Sequence, residues 1–159
     1  MKALRWIQAT PQLWRGLAEM NARLLEDEGH RNRDMPVSDL ERRMRGWLES
    51  GEYEAVVFEI DGPVAYALFR RDGDEVFLRQ LFVEQECRRQ GIGRAAVDLL
   101  ITEILGSPAR VTLEVLSHNV AARHFWNAVG FRNYAVGMEL VMRDAAEPRV
   151  AADRAAPDR

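Results

Sequence analysis

The run from Arg88 to Val97, RRQGIGRAAV, places two arginines and two glycines directly before a helical pattern. A helix N-terminus presents backbone N–H groups that have no partner within the helix, and these groups attract anions. Glycine lets a phosphate come close to the backbone, and arginine side chains add positive charge. The stretch from Gln90 to Arg94 therefore has the chemistry to hold a phosphate or a pyrophosphate.

Two common phosphate-binding loops fit this stretch poorly. The letters G-x-G-x-x-A are typical of a dinucleotide-binding turn, in which the first glycine follows a strand closely. Here the seven residues from Glu84 to Gln90 separate the preceding strand from Gly91. Glu114 is at the distance where a dinucleotide site has its acidic residue, but it lies inside the run RVTLEVL instead of at a strand end. No Gly-Lys-Ser/Thr follows the glycines, which excludes a Walker loop.

The elements ahead of the loop are predicted from hydrophobic spacing and turn residues. Residues 3–8 indicate a short strand, and Thr10 with Pro11 predicts the start of a helix that ends near Gly29. Ser38 to Glu41 reads as a capping box that opens a second helix. Three strands follow, joined by two Asp-Gly turns that are typical of hairpins, at 54–60, 63–70 and 75–83.

The loop itself is predicted to open a third helix, which Gly106 and Pro108 end. A fifth strand is predicted at 110–116, a short helix at 119–129, and a final strand or two short ones at 131–142. A strand–helix–strand crossover joins parallel strands, so the sheet should be mixed. We expect residues 1–143 to form one α/β domain and residues 144–159, rich in Ala, Asp, Arg and Pro, to form a disordered tail.

Two segments, LRQLFVEQECRRQGIG and LEVLSHNVAARHFWNAVGF, resemble motifs A and B of the GNAT family of acyl-CoA-dependent N-acetyltransferases. The matching positions are Arg88, Gly91, Gly93, Asn119, Trp126, Gly130 and Phe131. The resemblance covers nearly all of residues 1–142. It implies a single domain whose central mixed sheet combines an antiparallel meander with a parallel βαβ unit, where two strands splay apart between flanking helices.

The resemblance also implies a site for acetyl-CoA as co-substrate. The pantetheine arm would lie against the end of the fourth strand, and the pyrophosphate would sit on the backbone N–H groups of the glycine loop. The residues implied in this role are Leu81, Phe82, Val83, Arg88, Arg89, Gln90, Gly91, Ile92, Gly93, Arg94, Asn119 and Trp126. Asn119 can instead serve only as the cap of its helix, and Trp126 only as a core aromatic residue.

Acetyl transfer to an amine requires a group that accepts the amine's proton. Glu114 resembles the glutamate that serves as base in protein-N-terminal acetyltransferases of the family, although it is also consistent with an exposed charge on a strand. Many family members have a tyrosine at the position of Trp126 that protonates the leaving thiolate, and an indole cannot do this. Either the thiolate leaves without a protein acid, or another group such as Tyr134 serves.

In this family the loop between the first two helices shapes the acceptor site. Glu28 and His30 in that loop could meet a cationic amine, and Arg79 on the fourth strand could meet a carboxylate. These residues favour an acceptor that bears both charges, such as an amino acid, a peptide or a polyamine conjugate. A solvated polar loop without a binding role is the alternative for Glu28 and His30.

Composition limits the remaining function classes. The net charge of −3 predicts no general attraction to nucleic acid or to an anionic membrane. The single cysteine, Cys87, permits no intrachain disulfide, which fits a reducing, cytoplasmic setting. The family resemblance implies direct transfer, without a covalent intermediate on Cys87. Three scattered histidines and one cysteine show no metal-ligand spacing.

The leading interpretation is an N-acetyltransferase that acts on a small-molecule or peptide amine, as a monomer or a homodimer. The alternative is a non-catalytic acyl-CoA sensor or partner module.

Overall fold

The computed structural model describes residues 2–142, so the predicted tail from residue 144 onward lies outside the described part of the chain. Five strands form one sheet in chain order: β1 (Arg5–Gln8), β2 (Glu54–Glu59), β3 (Pro63–Asp72), β4 (Glu75–Val83) and β5 (Arg110–Thr112). The first four strands pair antiparallel, and β5 pairs parallel to β4. The mixed sheet predicted from the sequence is confirmed.

Helices cover both faces of the sheet. They are α1 (Trp14–Asp27), α2 (Val37–Glu49), α3 (Ile92–Leu99) and α4 (Val120–Ala128). Leu17 of α1 and Met44 of α2 are fully buried in one core cluster with β3 residues such as Tyr66. Ala96 of α3 belongs to a second cluster that contains Phe58 of β2. The strands β2 and β3 contribute side chains to both clusters, because successive residues of a strand point to opposite faces of the sheet.

A β-bulge in β4 falls on Arg79. Leu68 pairs with Gln80 and Phe69 pairs with Leu78, so Arg79 has no partner across the strand pair. A bulge bends the strand and places two successive side chains toward the same side. Gln80 and Arg79 accordingly both contact residues on the α1–α2 side of the sheet.

The pairing between β4 and β5 is short. It joins Glu75 to Arg110, Val76 to Val111 and Phe77 to Thr112, and it ends there although β4 continues to Val83. The predicted fifth strand at 110–116 is therefore wrong in its second half. The bulge just after Phe77 bends β4, and a straight partner strand cannot follow it.

Two predicted helix starts differ from the structure in detail. Residues Pro11–Leu13 form a separate 3-10 turn, α1 begins only at Trp14, and the Thr10 side chain makes no capping hydrogen bond. The helix α2 begins at Val37 instead of after the predicted capping box, because the carbonyl of Pro36 already accepts hydrogen bonds from the N–H groups of Asp39 and Leu40. Proline in extended conformation is well suited to the position before a helix, since its missing N–H is not needed there.

Residues 131–142 do not form the predicted final strand. Apolar residues alternate along this segment, with Tyr134 76%, Met138 94% and Leu140 84% exposed. A strand requires a neighbour that accepts its backbone hydrogen bonds, and none of the described residues pairs with this segment. The sequence pattern is that of a strand, but its partner is missing from the part of the chain that the structure describes.

Candidate active site

The glycine loop ends β4 and opens α3 in a fixed conformation. Gly91 is the N-cap of α3 with a left-handed φ of 80°, and Arg89 is also left-handed with a φ of 62°. No atom lies within 4 Å of a Cβ built on Gly91. The left-handed backbone conformation, and not crowding by neighbours, therefore requires glycine at this position. The first backbone N–H groups of α3 have no acceptor within the helix, and such groups can bind an anion.

Two of the loop's arginines are held by protein groups. Arg88 donates from Nε to the carbonyl of Val83 at 2.8 Å and pairs through Nη2 with Asp27 at the end of α1. Arg94 donates to the carbonyl of Ala128 at the end of α4, at 2.9 Å. These contacts anchor the loop between β4, α1 and α4. Arg88 therefore contributes to the loop's shape as much as to its charge.

The remaining loop residues divide between packing and exposure. Gly93 lies against α4, since a Cβ at this position would approach Cε2 of Phe125 to 3.1 Å. Ile92 is buried at 8% exposure and belongs to the core. Gln90 donates to the carbonyl of Glu86 at 2.9 Å, whereas the guanidinium of Arg89 is exposed and contacts no partner within residues 2–142. Arg89 is thus the loop arginine most accessible to a ligand.

The end of β4 carries a free strand edge. Beyond Phe77, no described strand pairs with β4 on the β5 side. Leu81 and Val83 are half-buried there, and Phe82 is buried at 3% exposure on the α1–α2 side. An extended molecule with amide groups can pair with such an edge, as an added strand does.

The two motif B residues have local partners. Asn119 is the N-cap of α4, and its side-chain oxygen accepts a hydrogen bond from the N–H of Ala122 at 3.1 Å. Trp126 contacts Phe125 and Phe131 edge-to-face, with ring centroids 4.9 and 5.1 Å away. The simpler role considered for each residue, as cap and as packed aromatic, is present in the structure.

The two candidate carboxylates differ in surroundings. Glu114 lies beyond the last paired residue of β5, is exposed, and has no side-chain hydrogen bond within the described chain. Glu28 is half-buried at the end of α1, where its backbone carbonyl contacts Nε2 of His118 at 2.8 Å. Burial raises the pKa of Glu28 above its ordinary value, and the neighbouring charge of Asp27 adds to the rise.

A buried chain of polar groups runs from the sheet to α1. The hydroxyl of Tyr66 donates to Oε1 of Gln80 at 2.9 Å, and Nε2 of Gln80 donates to Oδ1 of Asn21 at 3.1 Å. Burial raises the pKa of Tyr66, so its hydroxyl keeps the proton that it donates. Nδ2 of Asn21 is buried and has no hydrogen-bond partner among residues 2–142.

Next to this chain, arginines gather around two aromatic rings. The guanidinium carbons of Arg79 and Arg43 lie 4.5 and 4.8 Å from the centroid of Trp47. Arg79 and Arg70 both donate to the hydroxyl of Tyr53, at 3.3 and 3.2 Å. Burial lowers the pKa of Arg43, and so does the charge of Arg79. We call these five residues the arginine cluster.

Of the residues predicted to meet the acceptor, two are near this cluster. Arg79 belongs to it, and the pKa of His30 is lowered by burial and by the charges of Arg31, Arg43 and Arg79. Glu28 lies close enough to Tyr66 for its charge to raise the pKa of that hydroxyl. The acceptor residues predicted from the sequence thus lie around one region between α1, α2 and β4.

Several polar residues of this region were not singled out from the sequence. They are Asn21, Arg43, Tyr53, Tyr66, Arg70 and Gln80. Two of them carry a signal that could have been used. Asn21 occupies an apolar position of α1, between Leu17 and Leu24, and Gln80 interrupts the otherwise apolar end of β4. Polar residues at buried positions usually have partners there.

Among the described residues, no helix is long and apolar enough to cross a membrane. Within residues 2–142, no group of three or more His, Cys, Asp and Glu side chains is arranged to hold a metal ion.

Sequence comparison identifies a curated relative with a known name. The chain is 33% identical over 106 residues to a mycothiol acetyltransferase from Clavibacter michiganensis subsp. michiganensis (strain NCPPB 382). The aligned part is 66% of this chain and 33% of that protein, so the chain spans about a third of the relative's length.

Structure comparison gives neighbours of lower identity. An acetyltransferase from Thermus thermophilus aligns with a TM-score of 0.69 at 21% identity, over 83% of this chain and 90% of its own. An aminoglycoside N-acetyltransferase in complex with CoA aligns with a TM-score of 0.69 at 12% identity, over 91% and 97%. At these identities the likeness shows the fold.

Residues 17–131 match the acetyltransferase (GNAT) family. With motifs A and B inside that match and the splayed sheet around them, the chain belongs to the GNAT family of acetyltransferases.

Proposed function

We propose that this chain transfers an acetyl group directly from acetyl-CoA to a primary amine of a small molecule or peptide. One observation carries the proposal: β4 and β5 pair over three residues and then separate, and the glycine loop lies at the end of β4. The gap offers a strand edge for an amide-rich arm, and the loop offers N–H groups for a pyrophosphate. Both features suit coenzyme A, and the family membership supports the same ligand.

The coenzyme would be held from β4 to α3. Leu81 to Val83 offer the strand edge, and the N–H groups from Arg89 to Arg94 face the pyrophosphate. Among the loop's cations, Arg89 is the most accessible and is expected to contact phosphate most directly. Arg88 and Arg94 keep the loop in position through the contacts described above. Asn119 and Trp126 border the site from α4.

In the proposed reaction, the neutral amine nitrogen attacks the thioester carbonyl carbon and forms the new C–N bond. The C–S bond then breaks, and the thiolate of coenzyme A leaves. The proton released by the amine passes to Glu114, directly or through a water molecule. Glu114 is exposed at the edge of the gap, so it can exchange that proton with solvent.

The leaving thiolate receives no proton from an aromatic acid in this proposal. Trp126 cannot donate a phenolic proton, and its ring packs against Phe125 and Phe131. Tyr134 is 76% exposed, and its ring lies under Arg110, 4.9 Å away, at the paired end of β5. That end is opposite to the gap. A thiol is a tolerable leaving group, so direct departure of the thiolate is chemically feasible.

A non-catalytic acyl-CoA-binding module is the second candidate, and the tryptophan at position 126 favours it. We propose the enzyme as a single domain over residues 1–143 in the cytoplasm, acting on a small-molecule or peptide amine without nucleic acid or membrane as a partner. The exposed carboxylate of Glu114 beside the gap favours the catalytic candidate.

The test measures release of the coenzyme A thiol from acetyl-CoA with amino acids, peptides, polyamines and aminoglycosides as acceptors. Turnover with one class supports the enzyme and identifies its acceptor. Tight coenzyme A binding by calorimetry without turnover on any class would favour the sensor. Gly91→Val should abolish binding in either case, because a β-branched residue does not adopt the left-handed φ of 80° without strain.

A further inference from the structure

Three arginines of the arginine cluster carry like charges at close range. Arg43, Arg70 and Arg79 form no salt bridge with any carboxylate in residues 2–142, whereas most other arginines of α1, α2 and the sheet do. Nε of Arg43 is buried and has no hydrogen-bond partner there. Three unpaired cations around one point raise the free energy of the empty site, and an anion bound between them would lower it.

The aromatic rings hold these cations in place. Arg43 and Arg79 lie over the Trp47 ring, and Arg70 lies over the Tyr53 ring at 5.5 Å. The two rings contact each other at 5.2 Å, and Tyr53 is buried at 3% exposure. Contacts of guanidinium with aromatic faces fix the side chains without using their N–H groups. Arg70 and Arg79 each donate from Nη1 to the Tyr53 hydroxyl, and their other N–H groups remain available to a ligand.

The cluster is open to solvent and adjacent to the gap in the sheet. Arg79 is exposed, and Arg43 and Arg70 are half-buried. The bulge that turns Arg79 toward the rings lies two residues after Phe77, where the pairing of β4 with β5 ends. A molecule seated on the cluster would therefore lie close to the point where the gap between β4 and β5 begins.

We propose that the guanidinium groups of Arg43, Arg70 and Arg79 form a binding site for a carboxylate of the acetyl acceptor. The inference rests on the proposed function for the identity of its ligand. Guanidinium forks match the two oxygens of a carboxylate, and charge-assisted hydrogen bonds of this kind are among the stronger ones in proteins. The acceptor is thus an amine that carries at least one carboxylate, such as an amino acid or a peptide with a free C-terminus.

The test compares matched acceptors that differ only in this group: lysine with lysinamide, and alanylalanine with its carboxamide. The wild-type protein should use the acids with kcat/KM about tenfold or more above the amides. Arg43→Met and Arg79→Met keep the aliphatic stem but remove the charge. Each should bring the ratio of acid to amide toward one, by raising KM for the acids while kcat changes little.

Arg42→Met is the matched control on the same helix. Its side chain is 78% exposed and pairs with Asp39, away from the cluster. This variant should retain the wild-type ratio. Equal use of acids and amides by the wild-type protein, or an unchanged ratio in Arg43→Met and Arg79→Met, would overturn the proposal.

A second readout does not require turnover. In the absence of acetyl-CoA, titration with alanylalanine should shift the Trp47 indole N–H resonance, assigned by Trp47→Phe, whereas the carboxamide should not. A shift with the acid but no turnover on any amine would refute the transferase and leave the carboxylate site standing. Turnover without any acid-specific shift would refute the carboxylate site and leave the transferase standing.

Discussion

Among single residues, Glu114 is the carboxylate that we propose takes the amine's proton, and Glu28 is the other carboxylate among the predicted site residues. Glu114 is exposed at the gap, and Glu28 is half-buried near Tyr66. The Glu114→Gln substitution should lower turnover by about 100-fold or more, the usual effect of losing a general base. Binding of coenzyme A should be unchanged, as calorimetry can verify. Glu28→Gln serves as the comparison, and a larger loss of turnover in that variant would transfer the role to Glu28.

The raised pKa of Glu28 also leads to a prediction about stability. Its pKa is higher in the folded state than its ordinary value of 4.5, so the folded protein favours the protonated form. The stability that this preference contributes is complete below that ordinary value and is lost as the pH rises through the folded-state pKa. Glu28→Gln should therefore raise the melting temperature at pH 7 and have little effect below pH 4.5. Thermal melts across this pH range provide the measurement, and an equal effect at both ends would contradict it.

Site residues could be predicted from the sequence when their roles depend on neighbours in the chain. The glycine loop was predicted because Gly91 and the following helix are neighbours in the chain. The arginine cluster was not, since Arg43, Trp47, Tyr53, Arg70 and Arg79 come from α2, the turn before β2, β3 and β4. Only the register of the sheet and its bulge bring them together. A bulge leaves no clear mark on the pattern of apolar residues.

At the scale of elements, the packing of α3 against α4 explains the second glycine of the loop. A methyl group at position 93 would meet the Phe125 ring at 3.1 Å, whereas position 46 in α2 has no atom within 4 Å. Gly93→Ala should leave the fold about 1–3 kcal/mol less stable than Gly46→Ala does, because overpacking against the Phe125 ring offsets the gain in helix propensity. Gly46→Ala, the control, should stabilise it by about 1 kcal/mol through helix propensity. Urea unfolding of the two variants measures the difference, and equal stabilities would show that the Phe125 ring moves aside freely.

The three strands of the meander and the helix α4 were predicted most closely. The strands β2, β3 and β4 lie within two residues of their predicted limits, because alternating apolar residues and Asp-Gly turns mark them directly. The helix α2 begins at Val37, ahead of the predicted capping box, because the carbonyl of Pro36, and not a side chain, accepts the first hydrogen bonds. The end of β5 was missed because it depends on the bend of the neighbouring strand.

For the whole molecule, the exposed segment 131–142 leads to a prediction about association with a second copy. Val136, Met138 and Leu140 are 88%, 94% and 84% exposed, and exposed apolar patches of this kind often mark a surface that binds another protein. The alternating sequence would allow the segment to pair as a strand with a second copy. We expect a homodimer by light scattering. The double variant Met138→Glu, Leu140→Glu should be monomeric, with Glu139→Gln as a control that keeps the apolar residues. A monomeric wild-type protein at all concentrations would rule out this role for the segment.

The short pairing between β4 and β5 has a consequence for how the molecule unfolds. Three residue pairs are the only strand pairing between β5 and the rest of the described sheet, so β5 and α4 are expected to open as a separate cooperative unit. A ligand that spans the gap binds only when this unit is closed. Bound coenzyme should therefore slow amide hydrogen exchange in α4, and the slowing should grow with the coenzyme concentration. At a hundredfold excess over Kd, the free energy of opening should rise by about 2.7 kcal/mol. The supply of acetyl-CoA would then set how long β5 and α4 stay closed as well as the rate of the proposed reaction.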